Sequence, residues 1–220
     1  MASHKDPVAV IGLGRFGTAL ALELVGNGTE VLGVDNRPDI VQHLAGQLGQ
    51  VVVADSTDAD ALEEIGIADF GRVVVGIGTD LEASILTTAL LVDLAVPDIW
   101  VKALSLQHAK ILERIGAHHV VFPEHEMGER VAHLVSGRLL DWVELDPDWV
   151  FAKTRPPREL VGVPLGESKL RKRHNVTVVS VKPETASSFT HAGLDTVLTY
   201  GAEIVIAGRP ADVERFVDLD

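Results

Sequence analysis

Cysteine is absent from the chain. That absence removes disulfides, thiolate nucleophiles and cysteine-based zinc sites, and it suits a reducing cytoplasm. Long apolar runs are missing as well. No stretch approaches the ~20 residues that a membrane-spanning helix requires, and the opening residues, MASHKDP, lack the apolar centre of a signal peptide. No direct membrane insertion is expected. Positive charge is in deficit: the formal net charge is -13 at pH 7, which repels nucleic-acid phosphates unless cations are segregated into a patch. The cluster Lys169, Arg171, Lys172 and Arg173 lies on an amphipathic stretch and reads as a solvated helix face. Nucleic acid is not an expected partner.

What is present is organised around Val8 to Asp35, VAVIGLGRFGTALALELVGNGTEVLGVD. An apolar run is followed by glycines at 12, 14 and 17, an amphipathic stretch, and a second apolar run that ends on an acid. This is the GxGxxG arrangement in a strand, turn, helix, strand context. Gly12 permits the tight turn, Gly14 lets backbone approach a phosphate, and Gly17 lets the helix pack close to the sheet. The helix N-terminus offers free N–H groups and the positive end of a dipole to an anion. Asp35, closing the second strand, is placed to accept from ribose hydroxyls. The same pattern without a ligand is a tight strand-to-helix turn.

Apolar strands and helical spacings then alternate. Ile40, Val41, Leu44, Ala45 and Leu48 have helical spacing, and Val51 to Val53 follows as a short buried strand. Thr57 or Asp58 caps a helix whose first turns carry Asp60, Glu63 and Glu64, acids that suit the dipole. Arg72 to Ile77 reads as a strand, Leu81 to Leu94 as a long buried helix, Ile99 to Val101 as a strand, Leu106 to Ile115 as a helix and His119 to Phe122 as a last strand. The fold class is α/β, a Rossmann-like doubly wound parallel sheet covered on both faces. In such a sheet the ligand lies at the C-terminal ends of the strands. Position therefore selects Gly12, Leu13, Gly14, Arg15, Phe16 and Gly17 in the turn, then Asp35, Asn36 and Arg37, then Asp55 and Ser56, then Gly76, Ile77 and Gly78, and finally Lys102. Gly76 and Gly78 admit a base or ribose close to backbone, and Asp55 and Ser56 suit a base edge. Taken singly, these polar residues also read as caps and turn formers. Arg15 lies inside the phosphate turn, where a guanidinium reaches a terminal phosphate bidentately. Lys102 ends an otherwise apolar strand and is a second phosphate or ribose partner.

From Pro123 the pattern changes. Met127, Val131, Leu134, Val135, Leu139 and Leu140 keep helical spacing, with Glu124 and Glu126 in the first turn. Beyond Asp141 short apolar strands are interrupted by Pro147, Pro156, Pro157 and Pro164. Strands are expected at Trp149 to Thr154, Val176 to Val181 and Glu203 to Ala207, with helices around Ser168 to His174 and Ala211 to Phe216. This is a small α+β lobe. The expected division is residues 1–140, the nucleotide-binding lobe with a crossover helix, and residues 141–220, the smaller lobe.

The order IGLGRFG, VLGVD, ADSTD, VVVGIG, EASILTTALL, IWVKA and IGAHHVVFPEHEMG resembles the cytoplasmic RCK-type regulatory subunits of Ktr and Trk potassium uptake systems. The single-repeat length is similar to the Ktr type. The resemblance implies a nucleotide-sensing gating-ring subunit, cytoplasmic and peripheral to the inner face of the membrane. Its homodimers would assemble into an octameric ring beneath a membrane potassium channel or transporter subunit. It implies that ATP and ADP, and in some members NAD(H), compete for one site. Gly12, Gly14 and Gly17 would then hold phosphates, Asp35 the ribose and Arg15 the γ-phosphate. Glu124 would hold a cation, divalent or monovalent, near the phosphates; on the residues alone it is an acid matched to a helix N-terminus. Several relatives bind cyclic di-AMP in the C-terminal lobe, for which Leu160, Val161, Arg171 and Asn175 are the counterparts here, with Thr177 an alternative to the asparagine.

Two classes of function compete on the residues. A sensor needs a ligand that binds one shape more tightly than another, and no chemistry. A nicotinamide-dependent dehydrogenase needs a general acid or base and a substrate pocket. His119, His125, His133, His174 and His191 form no such constellation along the chain, and the lobe after residue 140 is small for a catalytic domain. The sensor is the expected function, with an NAD(H)-binding sensor or dehydrogenase-like protein as the alternative and no catalytic residue assigned.

Overall fold

Continuous apolar strands bury on both faces only if helices cover both sides of a sheet. A computed structural model describes residues 6–135 and 138–219 and has this arrangement, except that the strand Gln50–Val53, expected to be buried, lies at the sheet edge with Val53 50% exposed. Contacts divide the chain into two units, the first ending at Pro123 and the second beginning at Glu124.

In the first unit the elements run β1 Val8–Ile11, α1 Arg15–Gly26, β2 Val31–Asp35, α2 Pro38–Leu44, β3 Gln50–Val53, α3 Ala59–Glu64, β4 Arg72–Val75, α4 Leu81–Asp93, β5 Ile99–Lys102, α5 Leu106–Ile115 and β6 His119–Val121. All neighbouring strands pair in parallel, in the order β3-β2-β1-β4-β5-β6. Alternation along β1 separates the two faces. Val8 and Val10 pack with Leu13, Ala21 of α1 and Leu44 of α2, whereas Ala9 and Ile11 pack with Leu62 of α3, Leu91 of α4 and Leu112 of α5. Two helices therefore cover one face and three the other. The strand order reverses between β1 and β4, which opens the crevice at their carboxyl ends.

Local chemistry sets the helix starts. Asp58, rather than Thr57, caps α3 by accepting from Asp60 N. Asp80 caps α4 from Ala83 N and Ser105 caps α5 from His108 N. Gly116, at φ 118, takes the left-handed conformation that ends α5.

The second unit holds most of α6, Pro123–Val135, then β7 Leu139–Asp146, β8 Trp149–Thr154, α7 Leu165–Ser168, α8 Leu170–His174, β9 Thr177–Lys182, β10 Thr190–His191, β11 Glu203–Gly208 and α9 Pro210–Val217. The sheet is antiparallel in the order β10-β9-β11-β8-β7. Its core gathers Trp142, Val150, Leu160, Leu170, Ile204, Ile206 and Phe216, and full burial of each large apolar side chain contributes roughly 1.5–3 kcal/mol. Two expectations are corrected here. Leu139 and Leu140 do not continue the helix after Pro123 but begin β7, which pairs with β8; Thr154 Oγ1 donates to Arg138 O at 2.9 Å where that pairing starts. The helix expected around Ser168 to His174 is two short helices separated by Lys169 at φ 55.

Across the second sheet, Glu203 Oε2 lies 2.8 Å from Lys153 Nζ and 2.7 Å from Lys182 Nζ. Hydrogen bonds from the two ammonium groups hold the Glu203 carboxyl at about 2, against 4.5 for an ordinary glutamate. A depressed folded-state value contributes stability that is present above the unfolded value and is lost as pH falls through the folded one. The stability of the second unit is thus expected to decline between pH 4.5 and about 2, and Glu203→Gln is expected to flatten that decline. Urea unfolding at pH 5 and pH 3, followed by Trp142 and Trp149 fluorescence, measures it; an equal decline in both proteins contradicts it.

Candidate nucleotide-binding crevice

The glycine turn is built from backbone-to-backbone approaches that no side chain tolerates. Gly12 sits at φ 86, and a Cβ there would lie 2.9 Å from Ile77 N. A Cβ on Gly17 would lie 2.0 Å from Gly12 O, and one on Gly76 2.9 Å from the same oxygen. One carbonyl is thus enclosed by α1 on one side and the end of β4 on the other. Of Gly76 and Gly78, both expected to admit a ligand, Gly76 also has a tertiary reason to be glycine, whereas Gly78 approaches only the end of a flexible lysine. Gly76 packs against the turn, and a Cβ on Gly78 would lie 2.9 Å from Lys102 Nζ. Gly14 differs: nothing lies within 4 Å of its Cβ position. It precedes α1 with no side-chain cap, so the helix presents its first N–H groups and dipole to open space.

Asp35 is buried, 6% exposed, and joins β2 to the turn. Its Oδ2 accepts from Leu13 N at 2.7 Å, and its Oδ1 accepts from Arg37 N at 3.0 Å and Arg37 Nε at 3.3 Å. Leu13 N–H is therefore committed to Asp35, and Gly12 N–H to Val34 O at 2.8 Å. Oδ1 thus accepts twice, and Oδ2, which accepts once, retains acceptor capacity for a ribose hydroxyl. Thr18, which the sequence reading passed over, braces the turn from α1 by donating to Leu13 O at 2.7 Å.

The other candidates distribute as follows. Arg15, Asn36 and Arg37 are exposed, and Phe16 and Ile77 are half-buried. Lys102 is buried, 7% exposed, with its ammonium 5.8 Å from the Phe16 ring centroid and close to Gly78. β5, the turn and the loop after β4 therefore converge on one cation. Asp55 is exposed; hydrogen bonds from Thr57 N and Thr57 Oγ1, at 2.9 and 2.7 Å, hold its carboxyl below the usual range. Ser56 is buried, and its Oγ lies 2.8 Å from Thr87 Oγ1 of α4. Glu124 is exposed in the first turn of α6, within the second unit. No group of three or more His, Asp or Glu able to hold a metal occurs among the described residues, so a cation at Glu124 would depend on donors beyond this chain's carboxylates, phosphate oxygens being the chemical match.

The histidines have packing roles. His118 Nδ1 accepts from Ile99 N at 3.0 Å, His119 stacks on Trp100 at 4.0 Å, and His133 stacks on Trp142 at 4.0 Å. His174 lies 3.5 Å from Glu159, and His125 lies 3.4 Å from Glu129.

In the second unit a cavity of about 550 Å³ opens between α7, α8 and β9, lined by Lys169, Arg171, Lys172 and Thr177 among apolar residues. Of the four residues given by resemblance, Arg171 lines it; Leu160, Val161 and Asn175 do not. Thr177 does, and its hydroxyl is 3.0 Å from Arg171 Nε.

A sheet that reverses strand order at a glycine turn, followed by a small antiparallel lobe, has counterparts among known proteins. The model of the TrkA-N domain matches residues 8–123, and that of the TrkA-C domain matches residues 153–219. The class is therefore a two-part protein of TrkA-N and TrkA-C domains. Within it, the chain belongs to the Ktr-type family of RCK subunits. It is 36% identical over 214 residues to the Ktr system potassium uptake protein C of Bacillus subtilis, covering 96% of each chain. It is 36% identical over 211 residues to the Ktr system potassium uptake protein A of Vibrio alginolyticus, covering 94% of each. The fold is that of the GsuK RCK domain, with a TM-score of 0.67 at 20% identity over 99% of this chain and 49% of that one. The GsuK channel bound to NAD gives a TM-score of 0.66 at 20% identity, over 99% of this chain and 40% of that one. No described helix is long and apolar enough to cross a membrane.

Proposed function

We propose that the chain is the nucleotide-sensing regulatory subunit of a potassium uptake system, held at the cytoplasmic side of the membrane by its transporter partner. ATP and ADP compete for the crevice. The observation that carries the reading is the uncapped N-terminus of α1, open in front of Gly14 and backed by the buried Asp35. This geometry suits a ribose with a phosphate chain, since helix N-terminal N–H groups take the anion and the acid takes the ribose. The names of the Ktr relatives supply the potassium uptake system.

Sensing follows from differential affinity. ATP's terminal phosphate draws Arg15, exposed at the first position of α1, into charge-assisted contacts that ADP cannot offer. In a homodimer assembled into an octameric ring, such contacts favour one ring shape, by no more than the difference in nucleotide affinity between shapes. Coupling is reciprocal, so transporter docking alters nucleotide affinity. NAD(H) is the second ligand for the crevice, because Asp35 suits any ribose. In the second unit, the cavity lined by Lys169, Arg171 and Lys172 suits a doubly anionic ligand of cyclic di-AMP type.

Calorimetry of ATP, ADP and NADH against the wild type and Arg15→Ala tests the phosphate assignment. The substitution is expected to weaken ATP about tenfold and ADP less than about threefold, the loss of one charge-assisted contact. Equal weakening of the two removes Arg15 from the terminal phosphate, and no binding of any of the three to the wild type removes the sensor reading.

A further inference from the structure

The stretch EASILTTALL marks the family, yet its threonines have no role in the crevice as described so far. Thr87, on α4, is fully buried at 0% exposure. Its Oγ1 donates to Ser56 O at 3.1 Å and lies 2.8 Å from Ser56 Oγ. A threonine hydroxyl carries one proton. Because Thr87 spends its proton on the Ser56 carbonyl, the 2.8 Å contact must be Ser56 donating to Thr87. Ser56 Oγ is thereby left as an acceptor.

The neighbouring side chains are committed in the same sense. Thr57 Oγ1 donates to Asp55 Oδ1 at 2.7 Å, and Thr57 N donates to the same oxygen at 2.9 Å. The Asp55 carboxyl, held below its usual range by these bonds, is ionised and has no proton to give. Neither side-chain hydroxyl proton of the loop from Asp55 to Thr57 is free, since Ser56 gives its own to Thr87 and Thr57 gives its own to Asp55, so the side chains of the loop offer a ligand acceptor capacity alone. A base with an exocyclic amine at its six position matches such an edge there, whereas a 6-oxo purine sets an acceptor against acceptors at that position and moves its donor to N1.

We infer that Thr87 is a positioning and specificity-determining residue for the nucleotide base: by occupying the Ser56 hydroxyl proton and anchoring the Ser56 carbonyl, it makes the Asp55–Thr57 loop read a 6-amino purine and reject a 6-oxo purine. This rests on the nucleotide-sensor reading, in which this loop faces the base. Thr87 touches no ligand itself. Its effect passes through Ser56, and it ties the loop after β3 to the helix that follows the Gly76–Gly78 loop.

The test compares ATP with ITP, which differ at that purine position, by calorimetry on the full chain. The wild type is expected to favour ATP by about tenfold or more, the effect of a buried polar mismatch. Thr87→Val, which keeps the shape and removes the hydroxyl, frees the Ser56 proton to donate to a 6-oxo group, so the ATP to ITP ratio is expected to narrow to within about threefold. Thr87→Ser keeps the hydroxyl and is expected to keep the wild-type ratio. A merely structural Thr87 weakens both nucleotides together, so an unchanged ratio in Thr87→Val overturns the inference. If Thr87→Val does not accumulate folded, Ser56→Ala takes its place. It removes an acceptor that only the amino base uses, so the ratio narrows through loss of ATP affinity, and an unchanged ratio overturns the inference there too. A wild type that binds neither nucleotide brings down the sensor reading and this inference with it. A wild type that discriminates beside a Thr87→Val that discriminates equally brings down only the inference.

Discussion

Gly17→Ala is expected to be the most damaging conservative substitution in the first unit, costing about 3 kcal/mol of stability and about a hundredfold in ATP affinity. A methyl on Gly17 would lie 2.0 Å from Gly12 O, and both partners are backbone, so no rotamer relieves the overlap. Either α1 moves off the sheet or the turn opens. The carbonyl has little room to retreat, because Gly76 packs against it from β4 and Gly12 is held by its bond to Val34 O at 2.8 Å. Movement of α1 also misdirects the N–H groups at its start, and losing two charge-assisted hydrogen bonds to phosphate, each worth ~1.5 kcal/mol or more, gives the hundredfold effect. Gly14→Ala separates the two consequences. Gly14 has φ -66 and open space at its Cβ position, so the substitution is expected to leave stability within about 0.5 kcal/mol. Its methyl nevertheless enters the space assigned to phosphate. Urea unfolding and calorimetry of both variants check the pair. Wild-type ATP affinity in Gly14→Ala would place the phosphates elsewhere.

Asp35→Ala is expected to combine a folding loss with a binding loss. The buried carboxylate accepts from Leu13 N at 2.7 Å and Arg37 N at 3.0 Å, and removing it strands at least the Leu13 donor in a site with little water. An orphaned buried donor costs ~1–3 kcal/mol, more where the partner was charged, so a loss of about 2–3 kcal/mol is expected in urea unfolding. The acceptor proposed for the ribose is removed as well, and the turn loses its tie to β2. ATP affinity is expected to fall about a hundredfold, and NADH affinity with it, because both present a ribose. Asp35→Asn keeps one oxygen for Leu13 N but presents an amide toward Arg37 N, so intermediate values are expected in both measurements. A folded Asp35→Ala that retains ATP affinity would detach Asp35 from the ligand and leave it a purely structural brace.

These two positions show what could be read along the chain. Gly12, Gly14, Gly17 and Asp35 were legible because the glycine spacing, the preceding apolar run and the acid closing the next strand are local constraints within one strand-turn-helix-strand unit. Gly76 and Gly78 were legible as positions where a ligand comes close to backbone, and the structure adds contacts that the spacing does not show. Their missing side chains make room for Gly12 O and Lys102 Nζ, atoms far away in sequence. The bonds of Thr18 to Leu13 O and of Thr87 to Ser56 O were not legible, since a threonine in a helix carries no mark of the backbone atom it will reach.

The same distinction explains the error after Pro123. Leu134, Val135, Leu139 and Leu140 continue a helical period, and a short apolar run fits a helix or a strand equally well. Pairing with β8 settles the matter: Trp142 pairs with Ala152 and Val143 with Phe151, and Trp142 enters the second core. The hairpin partner, not the spacing, makes Leu139 a strand residue.

By itself, then, the sequence determined the alternation of strands and helices, the place of the glycine turn, and the acid at the end of β2, because each depends on residues within a few positions of one another. Tertiary structure alone decided which glycines pack against distant backbone, which hydroxyl protons are already spent, and that Leu139 begins β7. Those outcomes depend on distances between segments that only the packed sheet brings together, and a hydrogen-bonding group's remaining capacity is known only when its partners are.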